Sequence, residues 1–175
     1  MGELDLLKPT IERRLEGIIH FGRVSMKPGK PTTFATVQTK DNKGDPSTKL
    51  IFSLPGNPVS AIACTSLFVL PCLSKASGSN LGNNGEPNGW KKFGCPRVSV
   101  ILAESIRCDK TREEYQRANV TSREDGRLYA IVNGGQRSSR VGSFLNANAL
   151  LVIPAGKGIL ETGSQVEALL LGPIQ

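Results

Sequence analysis

Aromatic residues are scarce in this chain: two Tyr, one Trp and six Phe make 5% of 175 residues. So few stacking surfaces argue against a platform for single-stranded nucleic acid. Imidazole is rarer still, with His20 alone, and none of the four cysteines (Cys64, Cys72, Cys95, Cys108) stands in C-x-x-C spacing. A Cys/His zinc site is therefore poorly supported, and no Ser-His-Asp or Cys-His set assembles around His20, which reads as structural or exposed. No unbroken apolar run of ~18 residues is present to span a membrane; the longest apolar segment, residues 59–73, is interrupted by Ser60, Thr65, Ser66 and Pro71. Blocks of five or six like charges are also missing. The net charge of +7 is spread along the chain, ten basic and six acidic residues over 1–75 and twelve and nine over the rest. A soluble basic surface is the plain reading, and a duplex-binding module rests on charge alone. The first residues, Met1-Gly2-Glu3-Leu4-Asp5, carry acid where a secretory leader carries base. A cytoplasmic, reducing compartment is expected, with Cys64 and Cys72 as buried free thiols.

The composition that is present divides the chain. Residues 77–91 are dominated by Gly, Asn and Ser and read as a flexible linker between pieces 1–76 and 92–175. The first piece mixes helix and strand patterns. Leu7, Ile11 and Leu15 recur at four-residue spacing, with Gly17 as a stop, predicting a helix over 6–15. Strands are expected over 18–26, 33–38 and 49–54, with a polar turn over 41–47. A helix is expected over 59–75, Pro58 sitting in its first turn and Pro71 kinking or ending it. The second piece has short β-type runs at 97–103, 115–120, 127–132, 150–153 and 165–171 between Gly, Asp and Asn turns, which predicts a small all-β sandwich or barrel.

Four segments carry candidate chemistry. In a strand over 18–26 running on to Lys27, Arg23 and Lys27 share a face, and the turn Pro28-Gly29-Lys30-Pro31 presents Lys30 beside them. Three fixed cations at one strand end make an oxyanion or phosphate site, against the alternative of a solvated basic edge. Next, Leu54-Pro55-Gly56-Asn57-Pro58-Val59-Ser60 runs from strand through turn into helix. Helix N-terminal amides attract anions, and Gly56 permits a positive φ or close backbone approach. In the second piece Arg117, Ser138 and Ser139 are candidate ligand contacts, exposed surface arginine being the competing reading. Glu3 and Asp5 can cap the first helix or bind Mg²⁺ beside phosphates.

These segments carry a resemblance. Met1–Asp5, residues 19–35 (with Met-Lys-Pro-Gly-Lys-Pro) and Leu-Pro-Gly-Asn-Pro-Val-Ser-Ala at 54–61 are similar to the MoeA/gephyrin E-domain family, the molybdopterin molybdenumtransferases of molybdenum cofactor synthesis. Glu114-Tyr115-Gln116-Arg117, Ser138-Ser139-Arg140 and residues 147–154 resemble the family's C-terminal subdomain. The resemblance implies an α/β first part, half of a MogA-like three-layer molybdopterin-binding subdomain, then a small all-β, barrel-like C-terminal subdomain. It implies insertion of molybdate into adenylylated molybdopterin with Mg²⁺-dependent loss of AMP. Asp5 is then an active-site and metal-side carboxylate, joined by Glu3 as a candidate metal ligand. Lys27 binds molybdate or phosphate, with Arg23 and Lys30 in the cationic cradle. Pro55 and Pro58 shape the turn that also carries Gly56, Asn57 and Ser60, and Arg117 and Ser139 reach the site from the C-terminal subdomain. The family is a homodimer. The chain corresponds to the C-terminal portion of family members, is expected not to turn over alone, and is expected to aggregate through uncovered apolar faces. The other reading within the family is a non-catalytic, gephyrin-like scaffold that binds receptor tails.

Overall fold

The computed structural model describes residues 6–77, 94–137, 139 and 141–174. Except for Ser77, the expected linker lies outside them, as do Glu3, Asp5 and Ser138.

The N-terminal region is built on a three-stranded antiparallel sheet. A short helix, α1 (Leu7–Pro9), continues as a π-helical turn, Thr10–Arg14. Only Ile11 of the expected apolar stripe is buried; Leu7 and Leu15 remain exposed. Gly17 follows because nothing larger fits: a Cβ there would lie 2.8 Å from Ile11 Cγ2 and 2.9 Å from Val37 Cγ2. The chain then forms β1 (Ile18–Gly22), β3 (Thr33–Lys40) and β4 (Pro46–Ser53), in the order β1-β3-β4. The polar turn is tighter than expected, with the strands running on to Lys40 and Pro46. Asp41 Oδ1 accepts from the Lys43 and Asp45 amides and closes it. Alternation along β3 buries Thr33, Ala35 and Val37. Its other face carries a tilted stack of Phe21, Phe34 and Phe52, and Ile18 and Leu50 on the same sheet stay exposed.

The expected strand over 18–26 is broken. β1 ends at Gly22, Arg23 adopts a left-handed conformation (φ 68°), and the chain re-enters extended structure as β2 (Met26–Lys27) in a different sheet. Arg23 and Lys27 are therefore not neighbours on one strand face. The helix after Pro58 runs as α2 (Pro58–Cys64), a π-helical stretch Thr65–Val69 and α3 (Leu70–Ala76). Pro71, expected to kink or end the helix, does not end it. The π register of Thr65–Val69 ends just before it, and the proline falls in the first turn of the α segment that follows, the position where proline is best tolerated. Pro58–Ala76 is long and apolar enough to cross a membrane by length and composition, contrary to the expectation from the interrupted run. That does not establish a span, and here Val59, Ala63 and Cys64 are fully buried within the fold.

The C-terminal region is a closed barrel. β5 (Arg97–Leu102), β7 (Glu113–Ser122), β8 (Leu128–Val132), β9 (Ala149–Ile153) and β11 (Gln165–Leu170) join in the order β7-β8-β5-β11-β9, and β9 pairs back onto β7. Closure removes exposed strand edges. A small ribbon, β6 (Ile106–Arg107) with β10 (Ile159–Leu160), lies outside that ring. The interior is filled by Val100, Leu102, Ala118, Val120, Ala130, Leu151, Ile153 and Ala168. Leu150 and Leu169 belong instead to a second cluster with Ala63 of α2. Thus β9 is buried on both faces, which is why Ala149–Ile153 is a continuous apolar run rather than an alternating one. The same cluster docks the helix on the barrel.

Asn148 ties the closure together. Its Oδ1 accepts from the Val120 amide (2.7 Å), and its Nδ2 donates to the carbonyls of Val120 (2.8 Å) and Pro173 (2.9 Å). Asn148→Ala leaves these buried backbone groups unpaired. The expected loss is about 3 kcal/mol, measured by urea unfolding.

Candidate functional site

Besides the apolar cluster that docks the helix, one short parallel strand pairing joins the barrel to the N-terminal region. Met26 lies opposite Glu113 and Lys27 opposite Glu114, so β2 is an added strand beside the start of β7. The turn after β2 then overhangs the barrel rim. A cleft of about 820 Å³ lies there, lined by Lys27, Pro28, Gly29, Lys30 and Pro31 from the turn and by Ser60 from the first turn of α2. From the barrel side it is lined by Arg112, Gly135, Gln136, Arg137 and Ser139. An adjoining hollow of about 520 Å³ is bordered by Arg23, Lys30, Thr111 and Arg112. Lys30 and Arg112 face both.

The turn is held rigidly. Gly29 has φ 113°, and a Cβ there would come within 2.6 Å of Cys64 Sγ. The Thr32 hydroxyl donates to the Gly29 carbonyl (2.7 Å) and lies 3.1 Å from Cys64 Sγ. The Val24 amide bonds the Lys30 carbonyl and the Arg23 amide the Thr32 carbonyl, closing the loop on itself. Burial pushes the Cys64 thiol up, so it remains a neutral packing group. All four cysteines are free, Cys64 buried as expected and Cys72 only half-buried.

Among the described residues four cations border the cleft, and two carboxylates hold two of them, Lys27 and Arg112. Lys27 Nζ lies 3.1 Å from Glu114 Oε1 and 3.8 Å from Asp109 Oδ2, and Arg112 Nη2 lies 3.5 Å from the same Asp109 oxygen. The Thr111 amide, then the Arg112 amide and the Thr111 hydroxyl, donate to Asp109 and hold its carboxyl below the usual range. Lys27 remains 41% exposed at its side chain, so its ammonium still faces the cleft.

Arg117 does not line the cleft, contrary to the expectation that it reaches ligand. It is 1% exposed. Its Nε donates to Ser143 Oγ (2.9 Å) and its Nη2 to the Gly135 (3.4 Å) and Arg137 (3.3 Å) carbonyls. Its guanidinium sits 5.8 Å from the centre of the Phe144 ring. Its backbone exchanges two bonds with the Gln136 side chain. Burial lowers its pKa, opposed by nearby Glu114. The role visible here is to pin Gly135, Arg137 and Ser143, and with them the part of the barrel rim from which Gly135, Gln136 and Arg137 reach the cleft.

The turn before α2 also differs from expectation. Gly56 has neither a positive φ nor a close neighbour, since a Cβ there meets nothing within 4 Å. Pro55, Gly56, Asn57 and Pro58 do not line the cleft; of that motif only Ser60 does. Asn57 is the N-cap, but its side chain makes no capping bond. Arg112, Arg137 and Gln136 are the lining side chains that the sequence does not single out. The clue to Arg112 is its place directly before the strand that receives β2.

The cleft does not fit a divalent cation among the described residues. No group of three His, Cys, Asp or Glu side chains is placed to hold one. Asp109 and Glu114 are already engaged by Lys27 and Arg112. The arrangement instead suits a tetrahedral oxyanion: several fixed cationic donors with serine hydroxyls between them.

Comparison with known proteins bears on what that oxyanion is. Residues 1–75 match the model of a probable molybdopterin binding domain, and residues 99–171 match the MoeA C-terminal region, domain IV. The chain is 44% identical to gephyrin of Dictyostelium discoideum, covering 99% of this chain and 24% of that one. It is 41% identical to the molybdenum cofactor synthesis protein cinnamon of Drosophila melanogaster, covering 89% and 22%. It is 28% identical to the molybdopterin molybdenumtransferase of Haemophilus influenzae, covering 95% and 36%. Among solved structures, the MoeA protein of Pyrococcus horikoshii superposes with a TM-score of 0.62 at 26% identity, over 97% of this chain and 35% of that one. The chain thus spans about a quarter to a third of the length of the curated relatives it matches.

Gly29 is where the cleft wall is most tightly specified. Gly29→Ala is expected to cost about 2–4 kcal/mol, from the left-handed backbone and the clash with Cys64. Adding Cys64→Ala removes the clash but not the backbone strain. Urea unfolding should show the double variant more stable than the two single losses sum to.

Proposed function

Because the chain belongs to the family of MoeA proteins, molybdopterin molybdenumtransferases and gephyrin, we propose that its cleft binds molybdate beside a phosphate-bearing molybdopterin. The whole protein then acts in molybdenum cofactor synthesis. The observation that carries this reading is the convergence of Lys27 and Lys30 from the N-terminal region with Arg112 and Arg137 from the barrel on one cleft. Such a site needs no reorganisation to receive an oxyanion, since its charges are set by the fold before the ligand arrives. The two arginines supply planar forks for phosphate or molybdate oxygens, and Lys27 supplies a compact point charge with three donors. Ser60 and Ser139 offer hydroxyls that can donate to the same oxygens.

In this reading the transfer places molybdenum on the dithiolene of adenylylated molybdopterin with loss of AMP, molybdate and the adenylylated pterin being the substrates; Mg²⁺ would be held by Asp5 and Glu3 rather than by the cleft residues, and would supply charge neutralisation for the departing AMP. This chain's part is to hold the oxyanion and to neutralise the charge that builds up as the two anions approach. Arg23 and Lys30, bordering the adjoining hollow, extend the cationic surface to a second anionic group. The intact protein is proposed to be a cytoplasmic homodimer. The chain by itself is proposed to bind without turning over.

Lys27→Ala is expected to weaken molybdate binding by about tenfold or more, some 1.4 kcal/mol. Lys43→Ala, an exposed lysine in the turn between β3 and β4 and not among the lining residues, is the control. Calorimetric titration with molybdate checks this. Equal affinities for the wild type and Lys27→Ala would contradict the assignment of Lys27.

A further inference from the structure

Glu114 is an unusual residue to find beside an anion site. It is 5% exposed, it carries the charge of the ligand the cleft is proposed to take, and it lies against the cleft's central lysine. Coulomb's law alone makes it a liability, because a buried carboxylate lowers the local positive potential. We propose that Glu114 is a positioning residue: its carboxylate fixes the Lys27 ammonium in the cleft, and anion binding depends on that hold.

The geometry supports this in three ways. Lys27 and Glu114 are register partners in the parallel β2–β7 pair, so their backbones are locked side by side before the side chains meet. The ammonium lies 3.1 Å from Glu114 Oε1 and 3.8 Å from Asp109 Oδ2, so Glu114 is the nearer of its two ion-pair partners. Asp109 is itself tied to the Thr111 and Arg112 amides, so the second acid is also immobile. Lysine is a point charge on a flexible four-carbon stem, and an unheld ammonium samples many positions. The ion pair with Glu114 on one side leaves N–H donors of the ammonium to turn toward a ligand oxygen. Arg117, the other cation close to Glu114, is committed to the loop carbonyls and Ser143, so Lys27 is the side chain that Glu114 directs.

The proposal rests on the anion-binding reading, and its test gives an effect of opposite sign from simple electrostatics. Glu114→Gln removes a negative charge from the cleft wall while keeping shape and hydrogen-bonding capacity. If Glu114 acted only as a charge, molybdate would bind more tightly. As a positioning residue, its loss weakens molybdate binding by about tenfold. In a Lys27→Met background the same change has no further effect. Unchanged or tighter binding in Glu114→Gln overturns the proposal.

The second measurement needs no ligand and no Glu114 variant. In protein labelled with ¹⁵N-lysine, the Lys27 ammonium, assigned by its loss in Lys27→Arg, is expected to give a solvent-protected resonance apart from the other lysines. A Lys27 ammonium that exchanges like a surface lysine overturns the hold, even if Glu114→Gln fails to fold. Wild-type protein that binds no molybdate but shows the protected ammonium overturns the anion reading and supports the hold of Glu114 on Lys27.

Discussion

Two residues of extended backbone, Met26 and Lys27, join the two halves of this molecule. They leave the N-terminal sheet after Arg23 and pair in parallel with Glu113 and Glu114 at the start of the longest barrel strand. The remaining features of the site depend on that pairing. It carries the Pro28–Pro31 turn over the barrel rim, sets Lys27 against Glu114, and brings Lys30 alongside Arg112. A two-residue pair is weak by itself. It is supported by the apolar cluster of Ala63 with Leu150 and Leu169, which fixes the helix against the barrel wall and carries Ser60 into the same cleft. Burial of apolar surface supplies the energy and the strand pair supplies the register.

The electrostatics follow from this geometry. Bringing four cations to one cleft raises repulsion that the fold must offset before any ligand arrives. Asp109 and Glu114 do so from the barrel side. They are held differently: Asp109 by backbone amides at the surface, Glu114 by burial beside its register partner. Gly135, Arg137 and Ser143 are held by a third device, a buried guanidinium whose donors are spent on carbonyls and a hydroxyl rather than on a carboxylate. A carbonyl-capped arginine costs desolvation but locks several backbone points at once, which suits a stretch of rim that must present an arginine at a fixed position.

Much of this was legible in the sequence. The apolar run over 150–153 marked a strand, which the structure buries on both faces, and the Gly-, Asp- and Asn-separated runs marked a small sandwich or barrel, which closes as a barrel. Lys27, Lys30, Ser60 and Ser139 were readable as candidates, and all four line the cleft. The break at Arg23 was not readable, because an arginine in a left-handed conformation leaves no compositional trace and the segment 18–26 keeps a strand's pattern. Pro71 misled because local rules do not register a π-helical stretch that resets the helix ahead of it. Gly56 misled in the other direction, being a turn glycine with open space around it. Arg112 and Arg137 read as ordinary surface arginines, and Arg117 as a ligand contact. Only the tertiary partners separate a side chain that touches the ligand from one that builds the wall.

The central claim is that one oxyanion site is formed jointly by the β2 turn and the barrel loops. Anomalous diffraction from crystals of the chain soaked in tungstate, a heavy analogue of molybdate, tests it most directly. The account predicts a single dominant peak in the cleft, within bonding reach of Lys27 or Lys30 on one side and of Arg112, Arg137 or Ser139 on the other. Peaks only on the outer surface, or bound by residues of one region alone, would contradict it.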